Sequence, residues 1–161
     1  MHRSECSLTT DQPTLLPAFD ARGDLPPGVH RASLSETLAR LGRSSPHRLA
    51  SGQRLERIYR LAAATGCVAR FIVFGSFVTT KPDPNDVDVF LVMDDRFDVA
   101  TVTGEARLLF DHAAAQAHFG ASVFWLRRLA ALGGEQATIE HWQIRRDGGL
   151  RGIVEIVPEA T

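Results

Sequence analysis

Two apolar runs joined by a short polar loop constrain the fold of this chain more than any other feature. The first run ends at Phe74 and is followed by Gly75 and Ser76, and the second run occupies residues 87–93. Runs rich in β-branched and aromatic residues, bounded by glycine and proline, are typical of strands. The pattern therefore predicts strand, tight turn and strand at the centre of an α/β domain.

Two aspartates, Asp86 and Asp88, occupy alternate positions where the second run begins. Alternate side chains of a strand share one face and lie about 7 Å apart, so these two carboxylates would repel each other. A divalent cation relieves such repulsion, and Mg²⁺ prefers carboxylate, water and phosphate oxygens. Gly75 would let the backbone approach a phosphate closely, and Ser76 adds a hydroxyl donor. We therefore expect a metal and phosphate site here, although each half of the pattern is also common in turns and solvated strand ends.

The run Phe74-Gly75-Ser76 followed by Asp86-Val87-Asp88 resembles the nucleotidyltransferase superfamily with the DNA polymerase beta-like fold. The sequence motif Gly-Ser-Phe-Val-Thr-x-Lys with Asp-Val-Asp-Val is similar to the motif of one small bacterial branch of that superfamily. The resemblance extends from about Leu25 to Pro158, with flanks that are less specific than the central motif. It implies a single-domain nucleotidyltransferase fold of the α/β class, in which helices pack on a mixed β-sheet.

The resemblance also implies an activity, which is transfer of a nucleoside monophosphate from a nucleoside triphosphate such as ATP to a hydroxyl. The acceptor would be a protein, an RNA or a small molecule. Asp86 and Asp88 would be the catalytic residues and would hold Mg²⁺ or Mn²⁺, while Gly75 and Ser76 would anchor the phosphates. Small members of the superfamily are often half of a toxin–antitoxin or defence pair, so a protein partner is expected too.

Lys81 lies in the loop between the two motif halves and is the single lysine among 18 lysines and arginines. A compact ammonium near two aspartates either contacts a triphosphate or offsets the repulsion between the carboxylates. Both interpretations stay open from the sequence. Lys81 is therefore a candidate phosphate-binding residue beside Gly75 and Ser76.

One part of the family pattern is missing. Active relatives bring a third carboxylate from the strand after the covering helix, where this chain has Ser122. Glu140 and Glu155 are candidate replacements, and each is equally a candidate partner for an arginine. Three functions follow: a working transferase, a nucleotide-binding module without turnover, or a neutralising partner protein with a vestigial site.

Composition indicates the number of domains and the general class of the protein. The 161 residues suit one domain, and 44% hydrophobic residues with a net charge of −1 indicate a globular protein without the basic excess of a DNA-binding protein. Residues 1–22 contain no apolar signal segment and no window is long enough to span a membrane, so we expect a cytoplasmic protein. Neither a Walker lysine motif, a Gly-x-Ser-x-Gly elbow nor zinc-ligand spacing occurs, which excludes those enzyme classes.

Hydrophobic spacing predicts a tail and entry loop over residues 1–27 and a domain over residues 28–158. The expected helices are Ser33 to Gly42, about Pro46 to Thr65 and Thr103 to His118; the expected strands are Val68 to Phe74, Asp86 to Met93, Ala121 to Leu126 and a hairpin of Thr138 to Arg145 with Leu150 to Val157. The helices are expected on one side of the sheet. The second helix carries arginines that form either a basic stripe beside the site or a solvated face: Arg48, Arg54, Arg57 and Arg60.

Overall fold

A computed structural model describes residues 16–159 of the protein, which form an α/β domain around one five-stranded mixed sheet. The elements in chain order are β1 (Val29–Ser33), α1 (Leu34–Leu41), α2 (Pro46–Ala64), β2 (Val68–Phe74), β3 (Val87–Met93), α3 (His112–Phe119), β4 (Ala121–Arg127), α4 (Glu135–His141) and β5 (Ile153–Val157). The α/β class and the mixed sheet predicted from the sequence are confirmed.

The strand order in the sheet is β1-β5-β2-β3-β4. The central pair β2 and β3 is antiparallel, as expected for two strands joined by a short loop, and β4 pairs with β3 in parallel after the α3 crossover. On the other side, β5 pairs antiparallel with β2 and parallel with β1. The chain therefore places the two motif strands in the middle of the sheet, where both have partners.

The sheet buries apolar side chains on both faces. The larger core lies under α1, α2 and α3 and takes alternate residues of β3, including Val89 and Leu91. Phe90 and Val92 alternate with these residues along β3. They point to the opposite face of the sheet and pack against Ile139 of α4. The expectation that helices lie on one side only is therefore wrong, because α4 covers part of the second face.

Local signals account for the first two helices. Ser33 caps α1, and its hydroxyl accepts a hydrogen bond from the Glu36 backbone N–H at 3.1 Å. Ser45 caps α2 in the same way, with Pro46 in the first turn. Both helices and the strands β2, β3 and β4 lie within a few residues of their predicted positions.

Two predicted elements differ from the structure. The expected helix Thr103 to His118 is divided, because Asp111 ends a 3₁₀-helix (Gly104–Phe110) and caps α3 by accepting from the Ala114 N–H. The expected strand Thr138 to Arg145 is wrong: it contains the end of α4, whose Ile139 and the following Trp142 are three positions apart and so face the sheet together. The expected second strand, Leu150 to Val157, contains β5, but its pairing with the preceding segment is short: an isolated bridge between Ile144 and Leu150, and a hydrogen bond from the Arg151 N–H to the Gln143 carbonyl.

The segment before β1 packs on the domain. Leu16 and Leu25 are buried in the larger core, and Asp24 forms an isolated bridge with Thr79 in the motif loop. The first fifteen positions of the predicted tail lie outside the described residues. Within residues 16–159, no helix combines the length and the apolar character needed to cross a membrane.

Candidate functional site

The second face of the sheet carries two neighbouring rows of side chains at the end where β2 stops. Strand register places Phe74, Asp88 and Ser122 side by side on β2, β3 and β4. The next row, two residues along each strand, contains Ile72, Phe90 and Phe124 in the same order. A row with two polar side chains, Asp88 and Ser122, thus lies at the strand ends directly beside an apolar row.

Gly75 follows the first row and lies against Asp88. Its φ of 80° falls in the left-handed region, and a Cβ built at this position would collide with Asp88 Oδ2. Only glycine satisfies both conditions. Ser76 comes next and opens a 3₁₀ turn (Ser76–Val78), so the predicted Gly75-Ser76 turn lies immediately beside the predicted carboxylate.

Asp88 is half-buried in this row. The pKa of its carboxyl is raised to about 6, mainly by burial and also by the nearby charge of Asp86, while the Ser122 hydroxyl, Arg151 and Arg146 act in the opposite direction. Loss of solvent and a like charge both disfavour the ionised form of a carboxyl group. The charges of Asp86 and Asp88 therefore repel each other in the structure, as their alternate positions in the sequence predicted.

A glutamine from α3 connects the polar residues. The Ser122 hydroxyl donates to Gln116 Oε1 at 3.1 Å, and Gln116 Nε2 lies 3.5 Å from Asp86 Oδ2. Gln116 was not among the residues selected from the sequence. Its position one turn before the end of α3 gave no motif signal, and only the packing of α3 beside β4 brings it to the site.

These residues open into a pocket of about 460 Å³. Gly75, Asp88 and Ser122 form its polar floor. The remaining lining side chains are aromatic or basic, with Ile144 as the exception: Phe74, Phe124, His141, Trp142, Ile144, Arg145, Arg146 and Arg151. Its volume lies in the range of sites for small ligands, about 300–1,000 Å³.

The three pocket arginines come from the connection between α4 and β5. Arg145 forms an ion pair with the buried Asp24, and Arg151 lies 3.8 Å from the same carboxylate. Arg146 is exposed and, among residues 16–159, meets no carboxylate within salt-bridge distance. The sequence predicted arginines only as partners for Glu140 or Glu155, because Arg145, Arg146 and Arg151 lie too far from Asp88 in the chain for any local pattern to show their approach to it.

Side chains of α2 hold the loop between the motif halves by hydrogen bonds to its backbone carbonyls. Arg48 is 3% exposed and donates to the backbone carbonyls of Leu41, Phe77, Thr79 and Lys81. The expectation that Arg48 belongs to a basic stripe or a solvated face is wrong, because these carbonyls replace its water. A further bond of 2.7 Å joins the His47 ring to the Pro84 carbonyl.

Lys81 is exposed in this loop. Its backbone carbonyl accepts from Arg48 Nη2 at 2.7 Å, and its side chain is not part of the pocket lining. Of the five residues selected from the motif, Gly75 and Asp88 line the pocket. Asp86 is not part of the lining but connects to it through Gln116 and Ser122. Ser76 lies at the turn that follows Gly75.

Neither glutamate considered as a third ligand joins the two aspartates. Glu155 lies on the same face of the sheet, but Arg70 holds both of its oxygens, with Nε at 2.7 Å and Nη2 at 2.8 Å. Glu140 lies on α4 and accepts from Gln136 Nε2 at 3.1 Å. Within residues 16–159, no group of three or more His, Cys, Asp and Glu side chains has the arrangement of a metal site.

The donor set at the pocket fits a hard cation that takes only part of its ligands from protein. Asp86 and Asp88 offer carboxylate oxygens, and Ser122 offers a hydroxyl beside them. Mg²⁺ usually keeps several waters and uses one or two carboxylates together with substrate phosphates. The close approach of Gly75 to Asp88 leaves no room for a side chain at position 75.

Comparison with known proteins places most of the chain in a protein family. Neither the curated proteins nor the solved structures contain a significant match to this chain. One family model does match, and it covers residues 17–157, which includes every strand of the sheet. The chain therefore belongs to the family described as "Family of unknown function (DUF6932)".

Proposed function

We propose that this protein binds a nucleoside triphosphate with Mg²⁺ at the pocket beside Asp88 and transfers its nucleoside monophosphate to a hydroxyl acceptor. The observation that supports this most strongly is the meeting of Gly75 and Asp88 in one pocket with three arginines. Carboxylates that share a site with arginines suit a ligand that contains both a cation and phosphate groups. The proposal agrees with the resemblance of the Gly-Ser and Asp-x-Asp motif to the nucleotidyltransferase fold.

The roles of the residues follow from their chemistry. Asp86 and Asp88 would hold the cation, which when bound supplies positive charge to the triphosphate. The backbone at Gly75 and the Ser76 hydroxyl would donate hydrogen bonds to phosphate oxygens. In the transfer, the acceptor oxygen bonds to the α-phosphorus, the bond from phosphorus to the pyrophosphate oxygen breaks, and the hydroxyl proton leaves to water.

The pocket arginines supply the positive charge of the pocket, since Lys81 of the motif loop is not part of the lining. Arg146 has an exposed guanidinium, and Arg145 and Arg151 border the same space. A guanidinium binds phosphate through two parallel N–H groups and holds its charge at every physiological pH. Arg146 is therefore the best placed of the three to contact a phosphate, since Asp24 occupies the other two.

A second candidate function is nucleotide binding without turnover. Ser122 lies opposite Asp88, in the position where the resembling enzymes bring a carboxylate, and Glu155 is occupied by Arg70. A hydroxyl binds Mg²⁺ less strongly than a carboxylate, so a second metal would be held weakly. This arrangement favours slow transfer or none, with binding retained.

Two measurements on the same samples test both candidates. Calorimetry with ATP, GTP, CTP and UTP, each with and without Mg²⁺, measures binding. Incubation with α-³²P-labelled nucleotides and protein, RNA or small-molecule acceptors measures transfer. Mg²⁺-dependent binding with transfer of the label supports the transferase, and binding without transfer supports the nucleotide-binding function without turnover. If no nucleotide binds with Mg²⁺ present, both candidates are wrong.

Matched variants connect the result to the site. Asp86→Asn and Asp88→Asn should each abolish the Mg²⁺-dependent part of binding, because a neutral amide cannot replace a carboxylate as a cation ligand. Asp83→Asn is the control, since Asp83 is exposed in the same loop and the substitution makes the same charge change. Equal losses in all three variants would show that net charge, and not the pair of carboxylates, determines binding.

A further inference from the structure

The segment just before β1 connects the motif loop to the chain after α4. This entry segment comprises residues 23–28. The Gly23 carbonyl accepts from the Thr80 N–H of the motif loop at 2.9 Å, and the Leu25 carbonyl accepts from the Gly152 N–H at 2.8 Å. The entry segment therefore lies between the motif loop and the connection that carries the pocket arginines, and it bonds to both.

Asp24 is the residue of the entry segment that meets these arginines. Its side chain is buried, and its two oxygens face different guanidiniums. Oδ2 accepts a hydrogen bond from Arg145 Nη1, while Oδ1 lies 3.8 Å from Arg151 Nη1. The two arginine side chains are 23% and 26% exposed. A carboxylate that has lost its water depends on such partners, so Asp24 and the two guanidiniums hold one another in place.

This cluster keeps positive charge and hydrogen-bond donors for a ligand. One carboxylate faces two guanidiniums, so positive charge exceeds negative charge among the three side chains. A guanidinium carries several N–H donors, and the contacts with Asp24 involve Nη1 of each arginine. Arg145 and Arg151 both line the pocket beside Asp88. The cluster can therefore bind phosphate oxygens there without giving up its contacts with Asp24.

We infer that Asp24 is a positioning residue, which holds Arg145 and Arg151 in the orientation in which they contact the phosphates of the bound nucleotide. This inference rests on the proposed function and adds a support for its arginines. Long side chains that are ordered before a ligand arrives lose less entropy when they bind it. Removal of the Asp24 charge should therefore weaken nucleotide binding, even though it makes the surroundings of the pocket more positive. A residue that only competes with phosphate for the arginines would have the opposite effect.

Two variants that lose the same charge beside the same arginines test the inference. Asp147 is exposed, and its Oδ1 lies 3.6 Å from Arg145 Nε, so Asp147→Asn is the matched control for Asp24→Asn. Calorimetry with ATP and Mg²⁺ measures the affinity of each. Asp24→Asn should bind ATP about tenfold more weakly than the natural protein, because two arginines lose their orientation. Asp147→Asn should bind ATP as tightly as the natural protein or up to about threefold more tightly.

Loss of stability needs its own control, because Asp24→Asn breaks a buried ion pair. Glu155→Gln breaks a buried ion pair outside the pocket, so its ATP affinity should stay unchanged. Urea unfolding of the same samples measures how stable each variant is. Asp24→Glu keeps the charge and moves the carboxylate by one methylene. It should weaken ATP binding by a smaller factor than Asp24→Asn, and it replaces that variant in the test if Asp24→Asn does not fold.

Each result of these measurements decides the inference. Unchanged or tighter ATP binding in a folded Asp24 variant would show that Asp24 does not position the arginines, and would leave the proposed nucleotide binding intact. Equal losses of affinity in Asp24→Asn and Glu155→Gln would assign the effect to stability and also overturn the inference. Absence of ATP binding to the natural protein would overturn the proposed function and the inference together.

Discussion

Asp88 and Ser122 are direct partners across the parallel strands β3 and β4. A carboxyl group and a hydroxyl thus occupy adjacent positions in the row that forms the floor of the pocket. The Ser122 hydroxyl donates to Gln116 Oε1, and when its single proton turns to Asp88 instead it lowers the pKa of that carboxyl. Position 122 is therefore close enough to affect the charge of Asp88 and any cation that it binds.

Ser122→Asp is expected to raise nucleotidyl transfer, because a carboxylate at this position adds a ligand next to Asp88. Without metal, the same substitution should lower the free energy of unfolding, since a third negative charge joins two others. Transfer of α-³²P label and thermal unfolding with and without Mg²⁺ measure both effects. Ser122→Asn is the uncharged control, and a fall in transfer in Ser122→Asp alone would show that the site is already complete.

Asp88 should make the protein less stable as the pH rises from about 4 to above 6. Its folded-state pKa of about 6 lies above the usual value of 3.8, so the folded protein binds this proton more tightly than the unfolded chain does. The stabilisation is complete below the unfolded value and is lost as the pH passes the folded one.

Asp88→Asn removes this titration. The variant should be more stable than the natural protein at pH 7.5, by on the order of 1 kcal/mol, and nearly equal to it at pH 4. Urea unfolding at both pH values measures the difference. A variant that is less stable at pH 7.5 would show that the ionised Asp88 carboxylate stabilises the fold.

Gly75→Ala is expected to destabilise the protein by roughly 2–4 kcal/mol, from backbone strain and from collision with Asp88. Gly66→Ala is the control, because Gly66 has a similar φ of 72° but no atom within 4 Å of the added Cβ. Urea unfolding of the two variants separates strain, which both share, from the collision. Equal losses in the free energy of unfolding would mean that Asp88 moves aside freely. The close approach of Gly75 to Asp88 would then not constrain position 75 in solution.

Arg70 and Glu155 are expected to stabilise the sheet and to take no part in ligand binding. Glu155 is 4% exposed, and loss of its negative charge would leave Arg70 without this partner. Glu155→Gln should therefore lower the free energy of unfolding by about 2 kcal/mol or more. Mg²⁺-dependent ATP binding should be unchanged. The exposed pair of Glu56 and Arg60 supplies the control, Glu56→Gln, with an expected cost below about 0.5 kcal/mol.

The opposite outcome for Glu155 would change the site. If Glu155→Gln abolished metal-dependent binding while the free energy of unfolding stayed the same, Glu155 would be a cation ligand released from Arg70 in the bound state. Arg70→Met combined with Glu155→Met separates the two roles further. The double variant should be more stable than Glu155→Gln, because it leaves no buried charge without a partner: Glu135 keeps Arg128, and Arg31 is exposed to water.

The parts of the fold that the sequence predicted have local causes. Ser33 and Ser45 begin helices because their hydroxyls cap nearby N–H groups, and β2 and β3 follow from apolar runs that end in glycine or aspartate. The strand β1 was missed because Val29–Ser33 includes two basic residues and has little apolar alternation. Its position depends on β5, which lies more than a hundred residues later in the chain.

The site shows the same division. Gly75, Asp86 and Asp88 lie close in sequence, and their spacing was enough to select them. Trp142 and Arg146 reach the pocket only because the chain after α4 turns back across the end of the sheet. The strand expected at residues 138–145 would have oriented this part of the chain differently. The local sequence pattern therefore could not predict that these side chains lie beside Asp88.

The position of β5 between β1 and β2 affects how the chain folds as it leaves the ribosome. The strands β2, β3 and β4 are consecutive neighbours and can assemble as soon as residues 68–127 have emerged. The strand β1 is made first, yet it has no partner in the sheet until Ile153–Val157 inserts beside it. A nascent chain that stops before β5 should therefore expose one edge of β2 and leave the first-made strand unpaired, which makes late synthesis the period in which this protein most needs protection from aggregation.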